Sequence, residues 1–168
     1  MSERLTDFIW TPTIEDLAKE HKFIEEEILT IGRHMIGEML RTAALYRESA
    51  YTPYSHYDVG AAILTADGEI YGGCNSENVN YSATNHAEGT AIATANAAGK
   101  GKENRKYIKA LVVCHEGDSG PCGECLQRIV EHADNCLIIV ADPEGKVRKI
   151  TSLKAILPYN FNPSHLGL

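Results

Sequence analysis

The segment Tyr107–Asp142, YIKALVVCHEGDSGPCGECLQRIVEHADNCLIIVAD, sets the architecture. Tyr107 to His115 is a short apolar run of strand length, and Cys136 to Asp142 is another. Between them, Cys122 to His132 reads as a helix that starts directly after Pro121. Upstream, the runs Val59 to Ala66 and Glu69 to Gly73 are joined by Asp67-Gly68, a strong hairpin signal. Downstream, Pro143-Glu144-Gly145 forms a turn and Val147 to Ile150 a last strand, followed by a short helix from Ser152 to Leu157 and an irregular tail. A further helix is expected from near His86 through Ala91, Ile92 and Ala95 to Ala98, stopped by Gly99. The order β-β-α-β-α-β-β describes an α/β protein, a three-layer α-β-α sandwich around a mixed five-stranded sheet.

The N-terminal part is helical by its spacing. Thr13 followed by Asp16, with Pro12 just before, is an N-cap signal. Beyond it Ile14, Leu17, Ile24, Ile28, Ile31, Met35 and Met39 recur at helical intervals. Gly32 and Gly37 interrupt the pattern, each costing about 1 kcal/mol in a helix interior. Two helices with a break near Gly32 are therefore expected, the second running to about Glu48. Tyr51-Thr52-Pro53-Tyr54-Ser55 ends helical structure, because the residue before proline avoids the α region.

Composition narrows the function. The 168 residues, 43% apolar and 23% charged, fit one domain with a buried core. A net charge of −7 repels polyanions, so no nucleic-acid partner is expected. Met1-Ser2-Glu3-Arg4-Leu5 has no apolar run after a basic start, so no signal peptide is expected, and apolar stretches such as Leu137 to Ala141 are too short to span a membrane. The five cysteines, an odd number, point to a reducing, cytoplasmic setting rather than a disulfide framework. Cys114 and Cys136 lie in apolar runs and read as small core residues.

Cys122 and Cys125 read differently. One turn apart at a helix start, they reach one ion, and His86 stands at the start of another helix. Three such ligands leave the fourth position of a tetrahedral zinc open, as in catalytic sites. The helix starts are expected to favour thiolates. Glu88, two residues from His86, has its carboxylate close to the metal without ligating it, placed to carry a proton. The pairing H-x-E…P-C-x-x-C marks zinc-dependent nucleobase deaminases. His115 is the nearest candidate for a fourth ligand, but it reads better as a strand end.

With these residues in view, the chain from about Gly37 to Leu168 resembles the cytidine deaminase family, specifically its small homotetrameric kind. The stretch Ala50-Tyr51-Thr52-Pro53-Tyr54-Ser55-His56-Tyr57-Asp58-Val59-Gly60-Ala61-Ala62 is similar to the family's A-Y-x-P-Y-S-x-F-x-V-G-A-A. Gly73-Cys74-Asn75-Ser76-Glu77-Asn78 is similar to G-C-N-x-E-N, and Leu157-Pro158-Tyr159-Asn160-Phe161 to the tail motif L-P-x-x-F. His86-Ala87-Glu88 and Pro121-Cys122-Gly123-Glu124-Cys125 supply the two metal motifs in the same order.

The resemblance implies hydrolytic deamination of cytidine or deoxycytidine to uridine or deoxyuridine, with one Zn²⁺ per subunit held by His86, Cys122 and Cys125, and Glu88 as proton carrier. It implies that Asn75 and Glu77 bind the sugar, that the Ala87 amide contacts the pyrimidine carbonyl, and that Tyr57 packs near the ligand. Phe161 would cover the base from a neighbouring subunit of a homotetramer with shared sites. Residues 1–33 would then be a helical extension and 34–168 the catalytic domain. A modified aminopyrimidine nucleoside of the blasticidin S type, a nucleobase, and an inactive zinc-stabilised binding protein remain as alternatives.

Departures from the family pattern cluster around the metal. His86 replaces the usual cysteine of the tetrameric enzymes, and Gly89 the arginine after A-E. One imidazole and two thiolates already balance Zn²⁺, so the arginine becomes dispensable. Leu126 replaces a second arginine, and Gly120 and Glu124 also depart. With Glu116 and Asp118 nearby, the loop before the metal is acidic; it reads as a solvated loop, and it is also the place to look for altered substrate choice.

Overall fold

A computed structural model describes residues 14–167. The expected helix start at Thr13 lies outside the described residues. The helices are α1 (Ile14–Ile31), α2 (Arg33–Arg47), α3 (Ala87–Ala97), α4 (Lys100–Glu103), α5 (Gly123–His132) and α6 (Leu153–Ile156). The strands are β1 (Gly60–Thr65), β2 (Ile70–Cys74), β3 (Ile108–Cys114), β4 (Leu137–Ala141) and β5 (Val147–Ser152). They form one sheet in the order β2-β1-β3-β4-β5. β3 and β4 run parallel, joined through α5, and every other pair is antiparallel. The mixed five-stranded sheet expected from the sequence is therefore present.

Alternation along the strands explains the three layers. Ala61, Ile63, Leu111, Val113 and Ile138 face Ala91, Ile92 and Ala95 of α3 and Leu126, Ile129 and Val130 of α5. Their sequence neighbours Ala62, Leu64, Ala110, Val112, Leu137 and Ile139 face Met39 and Ala43 of α2, with Ile24, Ile28 and Ile31 of α1 beside them. The apolar stripe of the N-terminal helix thus packs on the far face of the sheet. Thr151 of β5 also donates to Glu20 Oε1 of α1 at 3.0 Å. Cys114 and Cys136 are buried in the two halves of this core.

Two glycines of β2 let helices approach from both sides. A Cβ on Gly73 would lie 2.3 Å from the Ala91 nitrogen and 2.6 Å from the Ala87 oxygen of α3. One on Gly72 would lie 2.2 Å from the Tyr46 ring of α2. The break between α1 and α2 falls on Gly32, whose φ of 81° belongs to the region open to glycine.

The hairpin departs in detail from the expected two-residue connection. Thr65 N donates to Glu69 O at 2.9 Å, so the loop holds Ala66, Asp67 and Gly68, with Gly68 at φ 86°. A left-handed glycine closing a three-residue loop relieves the twist that a type I turn alone would impose. Three short pieces were not anticipated: α4 and the 3₁₀ turns Tyr81–Ala83 and Pro163–Leu166. Asn80 and Asn162 cap the two turns through their side-chain oxygens. Among the described residues no helix is long and apolar enough to cross a membrane.

Candidate active site

Because α3 and α5 pack on the same face of the sheet, their N-termini lie side by side. His86 is the N-cap of α3 and Cys122 the N-cap of α5. His86 Nδ1 sits 3.3 Å from the Cys122 sulphur and 3.3 Å from the Cys125 sulphur. The three ligand atoms all lie within 4.8 Å of one another, and among the described residues no further Cys or His joins them. A tetrahedral zinc with Zn–S of about 2.3 Å and Zn–N of about 2.0 Å separates nitrogen from sulphur by roughly 3.5 Å. The triangle fits that ion with only a small expansion.

Burial, then the neighbouring Glu88 and Cys122, pushes the Cys125 thiol far above its ordinary value. The helix start does not by itself make this sulphur a thiolate, contrary to what its position in the sequence led us to expect. A divalent ion next to two sulphurs and a carboxylate reverses the balance and keeps the thiols deprotonated. Glu88 is only 5% exposed and lies in the first turn of α3.

A cavity of about 250 Å³ opens beside this group, lined by Tyr57, Val59, Asn75, His86, Ala87, Glu88, Val113, His115, Ser119, Gly120 and Cys122. A second hollow of about 420 Å³ shares His86 and is lined by Tyr54, Ser55, Glu77, Tyr81 and Thr84. A family model described as the cytidine and deoxycytidylate deaminase zinc-binding region matches residues 34–141. The chain belongs to this deaminase family.

Individual relatives agree with that placement. The cytidine deaminase of Sporosarcina psychrophila is 41% identical over 133 residues, which is 79% of this chain and 95% of that protein. The cytidine deaminase of Halalkalibacterium halodurans is 34% identical, covering 77% and 96% of the two chains. The crystal structure of cytidine deaminase from Burkholderia pseudomallei superposes with a TM-score of 0.68 at 35% identity, over 77% of this chain and 99% of that one.

Within the deaminase site, Tyr57, Asn75, His86, Ala87, Glu88 and Cys122 meet around one cavity, with Cys125 buried behind it. Glu77 lies in the adjoining hollow. As the first residue of α3, Ala87 has an amide with no intrahelical acceptor. Phe161 does not line its own chain's cavity. Its ring is 59% exposed and stacks on His165, and its carbonyl accepts from Gln127 Nε2 at 2.7 Å.

Asn75 and Glu77 are more deeply tied to the backbone than the sequence indicated. Asn75 Oδ1 accepts from Val59 N at 2.9 Å, and its Nδ2 donates to Tyr57 O at 2.8 Å. Glu77 Oε2 accepts from the amides of Tyr54 and Ser55 at 3.0 and 3.2 Å. Hydrogen bonding from Ser55, with these amides and His56, holds the Glu77 carboxyl below its ordinary value. Both side chains thus have backbone partners before any ligand binds.

The departures also find physical partners. A Cβ on Gly89 would lie 3.3 Å from the guanidinium of Arg128, so α5 already supplies a cation over this position. Arg128 in turn donates to Glu124 at 2.7 Å. Glu116 pairs with Arg47 at 2.9 Å and Asp118 with Lys149 at 3.3 Å. The acidic residues of this loop are therefore neutralised by the chain's own cations, and none of the three lines the cavity. Leu126 is a core residue, 6% exposed.

His115 was underrated by sequence reasoning. It is not part of the metal group, yet it is 3% exposed and lines the cavity. The alternation that puts Leu111 and Val113 on the α3 side of β3 puts His115 there too, which is the signal that would have found it.

Proposed function

We propose that this chain is a zinc-dependent hydrolase that converts cytidine or deoxycytidine to uridine or deoxyuridine with release of ammonia. The observation that carries this reading is the buried Glu88 beside the His86, Cys122 and Cys125 triangle, facing a cavity of about 250 Å³. His86, Cys122 and Cys125 would hold a zinc ion, which when bound would lower the pKa of a water toward neutrality and so supply the nucleophile. Glu88 would take up one proton from that water and deliver it to N3 of the pyrimidine, then carry the remaining hydroxyl proton, by then on C4, to the departing amine, so that ammonia leaves as the C4 carbonyl forms. The Ala87 amide donates to the pyrimidine carbonyl, and Tyr57 walls the base.

The adjoining hollow receives the sugar, with Glu77 and Asn75 as its polar anchors. No Lys or Arg lines that hollow, and Glu77 is an anion there. A phosphate would be repelled, which favours a nucleoside over its monophosphate. We further assign Phe161 to a neighbour's cavity in a homotetramer; its exposure and its absence from its own cavity support this. Residues 1–33 act as an N-terminal extension, of which Ile24, Ile28 and Ile31 pack on the sheet, and 34–168 as the catalytic domain. The unpaired cysteines support a cytoplasmic role in pyrimidine salvage.

Ammonia release is the test, measured on cytidine, deoxycytidine, cytidine monophosphate, cytosine, blasticidin S and adenosine. Turnover of the first two with little on the others is expected. Turnover confined to adenosine or to the free base would overturn the assignment.

A further inference from the structure

We propose that His115 is the positioning residue of the base cavity, holding Tyr57 and the loop before the second metal motif in one arrangement; this rests on the functional reading above. The hydrogen bonds fix the state of its imidazole. Nε2 lies 2.9 Å from the Ser119 carbonyl, which only accepts, so Nε2 carries the hydrogen. Nδ1 lies 2.9 Å from the Gly117 amide, which only donates, so Nδ1 carries the lone pair. Both contacts are met together by the Nε2–H tautomer.

The Tyr57 hydroxyl sits 2.7 Å from the same Nδ1 and donates to it as a second donor, sharing the one lone pair with the Gly117 amide. One buried ring thus ties together separate walls of the cavity. Tyr57 is one, and Ser119 and Gly120, on the approach to Cys122, are another. A Cβ on Gly117 would lie 3.2 Å from both the imidazole and the Tyr57 oxygen, so the loop packs closely on the pair.

Asn75 grips the same segment from another side, through Tyr57 O and Val59 N. The backbone of Tyr57 is held by Asn75, and its ring by His115. Tyr57 is 44% exposed, so without the imidazole its ring gains rotamers that leave the cavity open. Ordering that ring on each binding event weakens substrate capture and leaves the proton path through Glu88 untouched.

The test is a set of substitutions read by steady-state kinetics, zinc content and calorimetric binding of uridine. His115→Phe, which removes all three bonds of the ring, is expected to raise KM for cytidine and weaken uridine binding by about tenfold or more, with kcat within about twofold. Tyr57→Phe, which removes one of them, should act in the same direction to a smaller degree, and the double variant should add little to His115→Phe. His115→Asn, which returns an acceptor near Nδ1, should recover part of the loss. Nitrogen-15 spectra should contain an Nε2–H histidine signal, its Nδ1 hydrogen-bonded, that is lost in His115→Phe. Additive effects in the double variant, a fall in kcat at unchanged KM, or an Nδ1–H spectrum would each refute the assignment. An unmodified chain that neither turns over cytidine nor binds uridine defeats the functional reading instead, and the tautomer spectrum still tests the imidazole.

Discussion

Gly73→Ala joins the fold to the site in one atom. The new Cβ would stand 2.3 Å from the Ala91 nitrogen and 2.6 Å from the Ala87 oxygen. Ordinary contacts of this kind begin near 3.4 Å, so α3 must retreat from β2 by about 1 Å. Neither obstacle is a flexible side chain, and both belong to the helix that begins at His86. Overpacking of this kind costs about 1–3 kcal/mol. For a chain of this size that lowers Tm by roughly 2–12 °C. A shift of 1 Å at a catalytic group costs about a hundredfold in rate. Thermal unfolding and kcat/KM on cytidine should therefore fall together, while circular dichroism stays native-like. Gly37→Ala is the control, because its Cβ meets only the Arg41 side chain, at 3.7 Å, inside α2. It should raise stability by about 0.5–1 kcal/mol. A Gly73→Ala protein with unchanged Tm and kinetics would refute the claim that the close approach of α3 to β2 places the active site.

Other residues carry predictions of their own. Asn75→Ala leaves the Val59 amide and the Tyr57 carbonyl without their side-chain partner, so it should destabilise the fold by about 1–3 kcal/mol and raise KM for cytidine; urea unfolding with parallel kinetics checks both. Glu77 has its carboxyl held below the ordinary 4.5, so it is charged at neutral pH, and its contribution is lost only as pH falls through that lowered value. An acid limb in 1/KM should therefore lie below about pH 4.5 and vanish in Glu77→Gln, which should also narrow the gap between cytidine and its monophosphate. His86→Cys should keep zinc but leave the site one charge more negative, a poorer acid for water. Each unit of that loss costs about tenfold in kcat at neutral pH, and adding Gly89→Arg must displace Arg128 to restore it.

Much of this could be read from residue types and spacing. The helices starting at His86 and Cys122 and the break at Gly32 follow from capping, periodicity and glycine, which are local properties. The short turns around Tyr81, Lys100 and Pro163 were hidden because a single turn shows no period, and caps such as Asn80 and Asn162 decide it. Asn75 and Glu77 stood out in the sequence as candidates, but their backbone partners lie 16 to 23 residues away and depend on how the 54–59 segment folds back. The same holds for the ion pairs of Glu116 and Asp118, with partners on α2 and β5. The raised Cys125 thiol depends on burial against Glu88, a property of packing that spacing does not carry.

Glu88→Gln tests the account most directly, since it removes the proton carrier while preserving size and leaving His86, Cys122 and Cys125 intact. With zinc content and ammonia release measured on the same preparation, the variant should hold one zinc per chain while kcat on cytidine falls by about 10²–10⁴-fold. Undiminished ammonia release at full zinc content would contradict the role given to Glu88, and with it the chemistry assigned to this site.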